Sequence, residues 1–261
     1  MKLGKDIAAV VTGAASGLGA ASARALAEAG CRVAVLDLNA ELGGEVAREI
    51  GGVFCGCDVT SEQSVMEALG TARAAHGQER ILVNCAGIAT GQKTARRERD
   101  SGRIVPHDVK LFAKVIQVNL VGTFTMIAHS AACMMTLDPI DKDGTRGVIT
   151  TTASVAAEDG QIGQAAYSAS KGGVQAMTLP IARDLSRDGI RICTILPGLF
   201  DTAMFATVPD DARRSLEAQV PFPSRLGRPE EYARLVRHIC ENDMLNGTAI
   251  RLDGAIRLAP R

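Results

Sequence analysis

Tryptophan is absent from this 261-residue chain, and aromatic residues make up only 3% of it. A β-sandwich is therefore not favoured, because such folds depend on aromatic and β-branched residues in their strands. Charge of one sign is not in excess either, since 29 Lys and Arg residues balance 29 Asp and Glu residues. We expect no nucleic acid as partner, because contacts with the phosphate backbone need a basic excess.

The usual metal-binding patterns are also missing. The 7 cysteines contain no CxxC pair, and the 4 histidines form no HExxH motif. We therefore expect no metal site, and we expect free thiols in a reducing compartment, the cytoplasm. The first apolar run, residues 7–11, is too short for a signal-peptide core or a membrane span, so no membrane partner is expected.

Short β-branched runs alternate along the chain with Ala- and Leu-rich stretches of helical period. This alternation predicts parallel strands joined by right-handed crossovers, and the apolar strands indicate helices on both faces of the sheet. We predict a single α/β domain over residues 1–261, with a Rossmann-type, doubly wound parallel sheet of about seven strands. The predicted strands are residues 7–11, 32–36, 53–57, 81–83, 148–152, 190–196 and 248–252; the predicted helices include residues 19–29, 61–76, 109–137, 164–187 and 229–241.

A glycine turn stands between the first predicted strand and the first helix. Gly13 permits a sharp turn, Gly17 lets the backbone approach a pyrophosphate, and Gly19 lets helix and strand pack closely. The pyrophosphate of a dinucleotide would lie on amide groups at the helix N-terminus, where the helix dipole favours negative charge. The cofactor-binding residues predicted in this turn are Gly13, Ser16, Gly17, Leu18 and Gly19.

Asp37 ends the second predicted strand. A carboxylate at this place would bind the hydroxyls of the adenosine ribose and repel a 2′-phosphate. Neither Ser16 nor Leu38 supplies a basic side chain to offset it, so we predict NAD rather than NADP as the cofactor. The alternative role is a cap for a helix that starts near Ala40, and the glycine turn favours the ribose over this cap.

Further cofactor contacts are predicted after the third and fourth strands. Asp58 and Val59 would reach the adenine, although Asp58 or Thr60 acting only as a helix N-cap is an equal alternative. Small residues follow the fourth strand, where the cofactor would cross the carboxyl edge of the sheet. The residues predicted there are Asn84, Ala86 and Gly87.

Ser154, Tyr167 and Lys171 are the candidate catalytic residues. Tyr167 and Lys171 stand at i and i+4 in a predicted helix, so they share one face. A free phenol has a pKa near ~10, and a cationic neighbour favours its phenolate form. Tyr167 would exchange a proton with an alcohol, Ser154 would hydrogen-bond the same oxygen, and Lys171 would also bind the nicotinamide ribose. An exposed tyrosine covering a lysine stem is the disfavoured alternative, because the glycine turn and Asp37 stand upstream.

The motifs of this chain, and their order along it, resemble those of the short-chain dehydrogenase/reductase family over essentially the whole chain. The motifs that carry the resemblance are Thr12-Gly13-x-x-x-Gly17-x-Gly19, Asn84-Cys85-Ala86-Gly87, Asn119, Ser154, Tyr167-x-x-x-Lys171 and Pro197-Gly198. The resemblance implies that Asn119 holds a water in a proton relay from Lys171. The residues that it assigns to the nicotinamide site are Pro197, Gly198 and Thr202.

Within the family, the chain is similar to enzymes that oxidise 3-hydroxyacyl-CoA thioesters, some of them 2-methyl-branched, with steroid alcohols as further substrates. The similar stretches are residues 152–157, 163–173, 177–185, 220–227 and 250–257. This similarity implies an NAD-dependent homotetramer, and it places Gln164 on the substrate oxygen unless Gln164 is only a helix-surface residue. Oxidation of another hydrophobic alcohol and a protein-scaffold role are the competing functions.

Two segments break the alternation of strands and helices. Residues 199–227 contain three prolines, and residues 90–107 are polar and rich in arginine. Long irregular segments in a compact domain are usually functional loops or lids. We expect residues 199–227 to be a substrate-binding lid. For residues 90–107, a solvated loop and a site for the phosphates of coenzyme A are the alternatives.

Overall fold

Strands and helices alternate along the chain in the computed structural model, which describes residues 1–202, 214 and 216–260. The strands are β1 (Ala8–Thr12), β2 (Arg32–Asp37), β3 (Val53–Gly56), β4 (Ile81–Asn84), β5 (Ala95–Arg97), β6 (Ile104–Pro106), β7 (Gly147–Thr152), β8 (Ile190–Pro197) and β9 (Ala249–Leu252). The helices are α1 (Gly17–Glu28), α2 (Ala40–Glu49), α3 (Glu62–His76), α4 (Val109–Ile116), α5 (Gly122–Met134), α6 (Ala165–Asp184) and α7 (Pro229–Glu241).

Seven of these strands form one parallel sheet in the order β3-β2-β1-β4-β7-β8-β9. The prediction of a doubly wound, Rossmann-type sheet is confirmed. Thr12 pairs with Leu36 on one side and with Asn84 on the other, so the carboxyl ends of the central strands lie level. The chain winds outward from β1 in one direction and from β4 in the other, and ligands bind at such a switch point.

Helices cover both faces of the sheet and enclose two large apolar clusters. On one face, Val11 packs with Leu26 of α1 and Val236 of α7. On the other face, Val10 packs with Leu69 of α3. Neighbouring strand residues therefore enter different clusters, which explains why the strands are nearly continuous apolar runs in the sequence.

The predicted helix over residues 109–137 is interrupted. It consists of α4, a π-helical turn over Gln117–Val121, and α5. Such turns are often found at functional sites. By length and composition alone, Val109–Met134 would pass as a membrane span, but its helices pack against α3, α6 and strands of the sheet.

Two further segments differ from the expectation or lie partly outside the described residues. Strands β5 and β6 pair as an antiparallel hairpin, where the sequence indicated an irregular segment. In the predicted lid, residues 203–213 and 215 lie outside the part of the chain that the structure describes. Of the rest, Phe200 pairs with Gly227 and packs its ring edge-on against Tyr232. The function of this segment as a lid stays a prediction.

Candidate active site

A cleft of about 720 Å³ lies along the carboxyl edge of the sheet. It is bordered by the glycine turn, the end of β2, the segments after β3 and β4, and the start of α6. The predicted site residues that line it are Gly13, Ser16, Gly17, Leu18, Gly19, Asp37, Asp58, Val59, Ala86, Gly87, Ser154, Tyr167, Lys171, Pro197, Gly198 and Thr202. Three predicted residues, Asn84, Asn119 and Gln164, are not part of this lining.

The glycine turn forms a cradle that only glycine permits. Gly13 has a φ of 63°, and a Cβ there would lie 2.7 Å from the backbone nitrogen of Ala86. A Cβ at Gly19 would lie 2.2 Å from the backbone oxygen of Gly13. Among the described residues, Ser16 makes no side-chain cap to α1, and the first turn of α1 holds no acidic residue. The N-terminal amides of α1 are therefore available to an anion, which fits the pyrophosphate of a dinucleotide.

Asp37 ties the end of β2 to the glycine turn. Its Oδ2 accepts a hydrogen bond from the backbone nitrogen of Ala15 at 3.0 Å, and its Oδ1 accepts one from Asn39 at 2.9 Å. Helix α2 is capped by Asn39, which accepts from Leu42 at 3.0 Å, so the interpretation of Asp37 as the cap is wrong. Beside Asp37, Leu38 is 74% exposed. The end of β2 therefore presents a carboxylate and an apolar side chain to the cleft.

Asp58 also lies on the cleft wall and caps no helix. Its Oδ1 accepts hydrogen bonds from Thr60, at 2.9 Å from the backbone nitrogen and 2.7 Å from the hydroxyl. The cap of α3 is Ser61, which accepts from Ser64 at 3.3 Å, so the capping alternative is wrong for both Asp58 and Thr60. The hydrogen bonds from Thr60 lower the pKa of Asp58. A charged carboxylate therefore borders the cleft beside Val59.

Asn84 lies beneath the cleft rather than on its wall. It is the last residue of β4 and is buried, and its backbone oxygen accepts a hydrogen bond from the hydroxyl of Thr152 at 2.6 Å. The backbone nitrogens of Cys85 and Ala86 both donate to the hydroxyl of Thr12 at 3.2 Å. Asn84 therefore builds the end of the strand, and the wall is formed by the residues that follow it.

Ser154, Tyr167 and Lys171 converge in the cleft. Ser154 follows β7, and its side chain lowers the pKa of Tyr167, with which it lines the cleft. Lys171 lies one turn after Tyr167 on α6, with its Nζ 5.9 Å from the centroid of the tyrosine ring. The same Nζ donates a hydrogen bond to the backbone oxygen of Thr152 at 2.7 Å. The structure therefore brings the three candidate catalytic side chains together.

Burial governs the protonation of this group. Burial raises the pKa of Tyr167, and the hydrogen bond with Ser154 opposes this effect. Burial also lowers the pKa of Lys171 to about 8. The expectation that Lys171, together with an oxidised nicotinamide, favours the phenolate stays a prediction; burial sets the direction of the pKa shift of Tyr167 in this structure. At neutral pH Tyr167 is a phenol that can donate a proton.

Asn119 lies in the π-helical turn and is fully buried. Its Oδ1 accepts a hydrogen bond from the backbone nitrogen of Ile88 at 2.8 Å, and its Nδ2 donates to Ile88 and to Ser170 at 2.9 and 3.0 Å. A Cβ at Gly87 would lie 3.1 Å from Oδ1 of Asn119 and 3.4 Å from Nζ of Lys171. Asn119 therefore fastens the wall after β4 to α6, and its role as a water ligand stays a prediction.

Gln164 has its side-chain oxygen engaged outside the cleft. It is the residue before α6, and its Oε1 accepts a hydrogen bond from the backbone nitrogen of Gln161 at 2.9 Å. Its contact with substrate stays a prediction. Several lining residues were not predicted from the sequence, among them Lys114 of α4 and Val118 of the π-helical turn. Neither residue belongs to a sequence motif. The packing of α4 and the π-helical turn against α6 brings them to the cleft.

Comparison with known proteins identifies the family. The short chain dehydrogenase family matches residues 7–213. A 3-hydroxyacyl-CoA dehydrogenase type-2 of Drosophila melanogaster is 54% identical over 98% of this chain and 99% of its own length. The protein of that name from Homo sapiens is 50% identical over 98% and 97%. A crystal structure of 3-hydroxyacyl-CoA dehydrogenase type-2 from Mycobacterium avium has a TM-score of 0.92 and 39% identity, and covers 98% of both chains. The chain therefore belongs to the short-chain dehydrogenase family, oxidoreductases that use a nicotinamide cofactor.

Proposed function

We propose that this protein oxidises the secondary alcohol of 3-hydroxyacyl-CoA thioesters, short or 2-methyl-branched, to the 3-oxo product, with NAD as the oxidant. The observation that carries the proposal is the convergence of Ser154, Tyr167 and Lys171 on a cleft whose glycine turn fits a dinucleotide. The curated relatives named for this substrate class span nearly the whole chain, which supports the choice of substrate.

Ser154, Tyr167 and Lys171 have different roles in this reaction. Ser154 hydrogen-bonds the alcohol oxygen, and Tyr167 as phenolate takes the alcohol proton. When bound, the nicotinamide ring accepts the hydride that leaves the carbon bearing this alcohol oxygen. Lys171, held by the backbone oxygen of Thr152, lies one turn from Tyr167 and would bind the ribose. The cleft residues at the end of β8, Pro197 and Gly198, would border the nicotinamide together with Thr202.

The substrate is tested by following NAD reduction with 3-hydroxyacyl-CoA thioesters of increasing chain length, their 2-methyl derivatives and a set of hydroxysteroids. We expect the highest kcat/KM for a short or 2-methyl-branched thioester. A higher kcat/KM for a steroid would replace the proposal with a hydrophobic-alcohol dehydrogenase. A folded protein that binds NAD and oxidises none of these compounds would point to the scaffold role.

The preference for NAD is expected to depend on Asp37. Removing its charge in Asp37→Asn keeps an oxygen for the backbone nitrogen of Ala15 and ends the repulsion of a 2′-phosphate. We expect the ratio of kcat/KM for NADP to that for NAD to rise about tenfold, which corresponds to about 1.4 kcal/mol. Steady-state kinetics with both cofactors measure this ratio. Equal efficiency of the parent protein with NAD and NADP would contradict the assignment.

The arginine-rich hairpin of β5 and β6 is attached next to the catalytic helix. The backbone nitrogen of Gln92 donates a hydrogen bond to the backbone oxygen of Gly163 at 2.9 Å, just before α6. Arg103 pairs with Glu98, whereas Arg96 and Arg99 pair with no carboxylate among the described residues. These two free guanidinium groups support a role of the hairpin in binding the phosphates of coenzyme A.

Neutralising both residues in Arg96→Ala/Arg99→Ala is expected to raise the KM for acyl-CoA without changing the KM for NAD. The same acyl group on pantetheine, which lacks the ribose phosphates, is the matched control and should be used equally well by parent and variant. The effect should shrink at high salt, because exposed charges are screened over ~8–10 Å. An unchanged KM for acyl-CoA would make the hairpin a solvated surface feature.

A homotetramer in the cytoplasm completes the proposal. Helices α4 and α5 leave apolar side chains in solvent, including Val109 at 76% and Phe124 at 52% exposed. A second subunit would cover such a surface. The cysteines of the described chain are free thiols, in keeping with a reducing compartment. Light scattering at micromolar concentration should report the mass of four chains, and a monomer mass would refute the tetramer.

A further inference from the structure

A chain of polar side chains lies buried behind the cleft, between the sheet and α7. Tyr232 of α7 is fully buried, and its hydroxyl lies 2.7 Å from that of Thr152 and 3.7 Å from Sγ of Cys85. The hydroxyl of Thr152 also lies 2.6 Å from the backbone oxygen of Asn84 and, at a longer 3.5 Å, near Sγ of Cys85. Helix α7 otherwise packs mainly against α1, so Tyr232 joins this outer helix to the strands under the cleft.

The direction of these hydrogen bonds follows from the number of protons. The backbone oxygen of Asn84 can only accept, so the single hydroxyl proton of Thr152 goes to it. The hydroxyl of Tyr232 must then donate to Thr152, and its oxygen is left to accept from the thiol of Cys85. Each donor in the chain from Cys85 to Asn84 therefore has one acceptor, and the hydroxyl of Tyr232 is the central member.

The threonine in this chain is also the residue that holds the catalytic lysine. Its backbone oxygen accepts the hydrogen bond from Nζ of Lys171 at 2.7 Å. Thr152 is the last residue of β7, and Ser154 follows two positions later. The side chain of Thr152 is bound by Tyr232 while its carbonyl binds Lys171, so the orientation of that carbonyl depends on both contacts.

We propose that Tyr232 is a positioning residue for the reaction, whose hydroxyl acts through Thr152 to orient the carbonyl that holds Lys171. The proposal rests on the proposed function only for the chemical role of Lys171. Burial raises the pKa of Tyr232 well above its usual value and also raises that of Cys85. Tyr232 therefore remains a proton donor, and Cys85 a neutral thiol, at neutral pH.

Tyr232→Phe tests the hydroxyl separately from the ring. The ring packs edge-on against Phe200, with 6.4 Å between the centroids, and the variant keeps this packing. We expect kcat to fall about fivefold, the scale of one hydrogen bond, with an unchanged KM for NAD. The pKa of Lys171, measured by NMR of labelled lysine without cofactor, should fall below its parental value, because its acceptor is less well placed.

Thr178→Val is the matched control. Thr178 is a buried hydroxyl on the same helix as Lys171, but it bonds to Thr194 and to the backbone oxygen of Val174. Through Thr194 it reaches the side chain of Thr151, on β7, rather than that of Thr152. This variant should lose stability as Tyr232→Phe does, while the pKa of Lys171 stays at its parental value. Equal pKa values of Lys171 in the parent and both variants would show that Tyr232 is only structural and would overturn the proposal.

Substitutions at Thr152 give a second, independent test. Thr152→Val breaks the chain at the residue that binds Lys171, and adding Tyr232→Phe to it should lower kcat no further, because the two hydroxyls act as one unit. Thr152→Ser restores the hydroxyl and should recover most of the kcat and of the lysine pKa that Thr152→Val loses. Additive effects in the double variant would contradict the proposal. Because the NMR titration needs no substrate, it remains decisive even when the parent protein oxidises none of the compounds tested.

Discussion

Tyr167→Phe is expected to lower kcat by ~10²–10⁴, the usual loss when one acid/base group is removed. The substitution keeps the partly buried ring and removes the phenol oxygen beside Ser154 in the cleft. Ser154 cannot replace it, since an aliphatic hydroxyl is a far weaker acid than a phenol. The glycine turn and Asp37 are untouched, so the affinity for NAD, measured by calorimetry, should stay at its parental value.

The pH dependence of the parent enzyme provides a second readout for Tyr167. Oxidation needs the phenolate, and burial raises the pKa of this phenol, so the rate of oxidation should rise as the pH is raised into the alkaline range. Reduction of the 3-oxo substrate needs the protonated phenol and should fall over the same range. A Phe variant with near-parental kcat, or a parent rate that is flat with pH, would place the proton transfer on another group.

The strands and the glycine turn could be predicted because their signals are local. A buried parallel strand is an apolar run, and the turn before α1 needs glycine at Gly13, where φ is 63°. Helix α2 is harder to predict from the sequence, because Gly43 and Gly44 lower its helical propensity. Gly43 is required by packing, since a Cβ there would lie 2.4 Å from the ring of Phe54. No sequence pattern near Gly43 predicts its contact with Phe54.

The remaining features depend on contacts between distant parts of the chain. The hairpin of β5 and β6 is exposed, so its strands lack the apolar alternation that predicts a buried sheet. The positioning of Lys171 by Thr152, and of Thr152 by Tyr232, joins residues up to 80 positions apart. In the sequence, Tyr232 is one more residue of an amphipathic helix. The residue types of the site were predictable from motifs, whereas the hydrogen bonds that orient them required the fold.

Gly19→Ala is expected to abolish tight NAD binding, whereas Gly44→Ala should leave it unchanged. Both glycines lie inside helices, where Ala is intrinsically favoured over Gly by about 1 kcal/mol. A Cβ at Gly44 meets nothing within 4 Å, so Gly44→Ala should raise the free energy of unfolding by up to about 1 kcal/mol. Both variants therefore gain the stability of Ala over Gly in a helix, and they differ in what the added Cβ contacts.

At Gly19 the added Cβ would lie 2.2 Å from the backbone oxygen and 2.7 Å from the carbonyl carbon of Gly13. Backbone atoms cannot rotate away as a side chain does, so α1 must separate from the turn after β1. Overpacking of this kind costs about 1–3 kcal/mol and exceeds the helical gain. The displacement also moves the N-terminal amides of α1, so we expect NAD affinity to fall by more than about tenfold, or 1.4 kcal/mol. Denaturant unfolding and calorimetry measure the two effects, and parental NAD affinity in Gly19→Ala would mean that this turn is not the dinucleotide site.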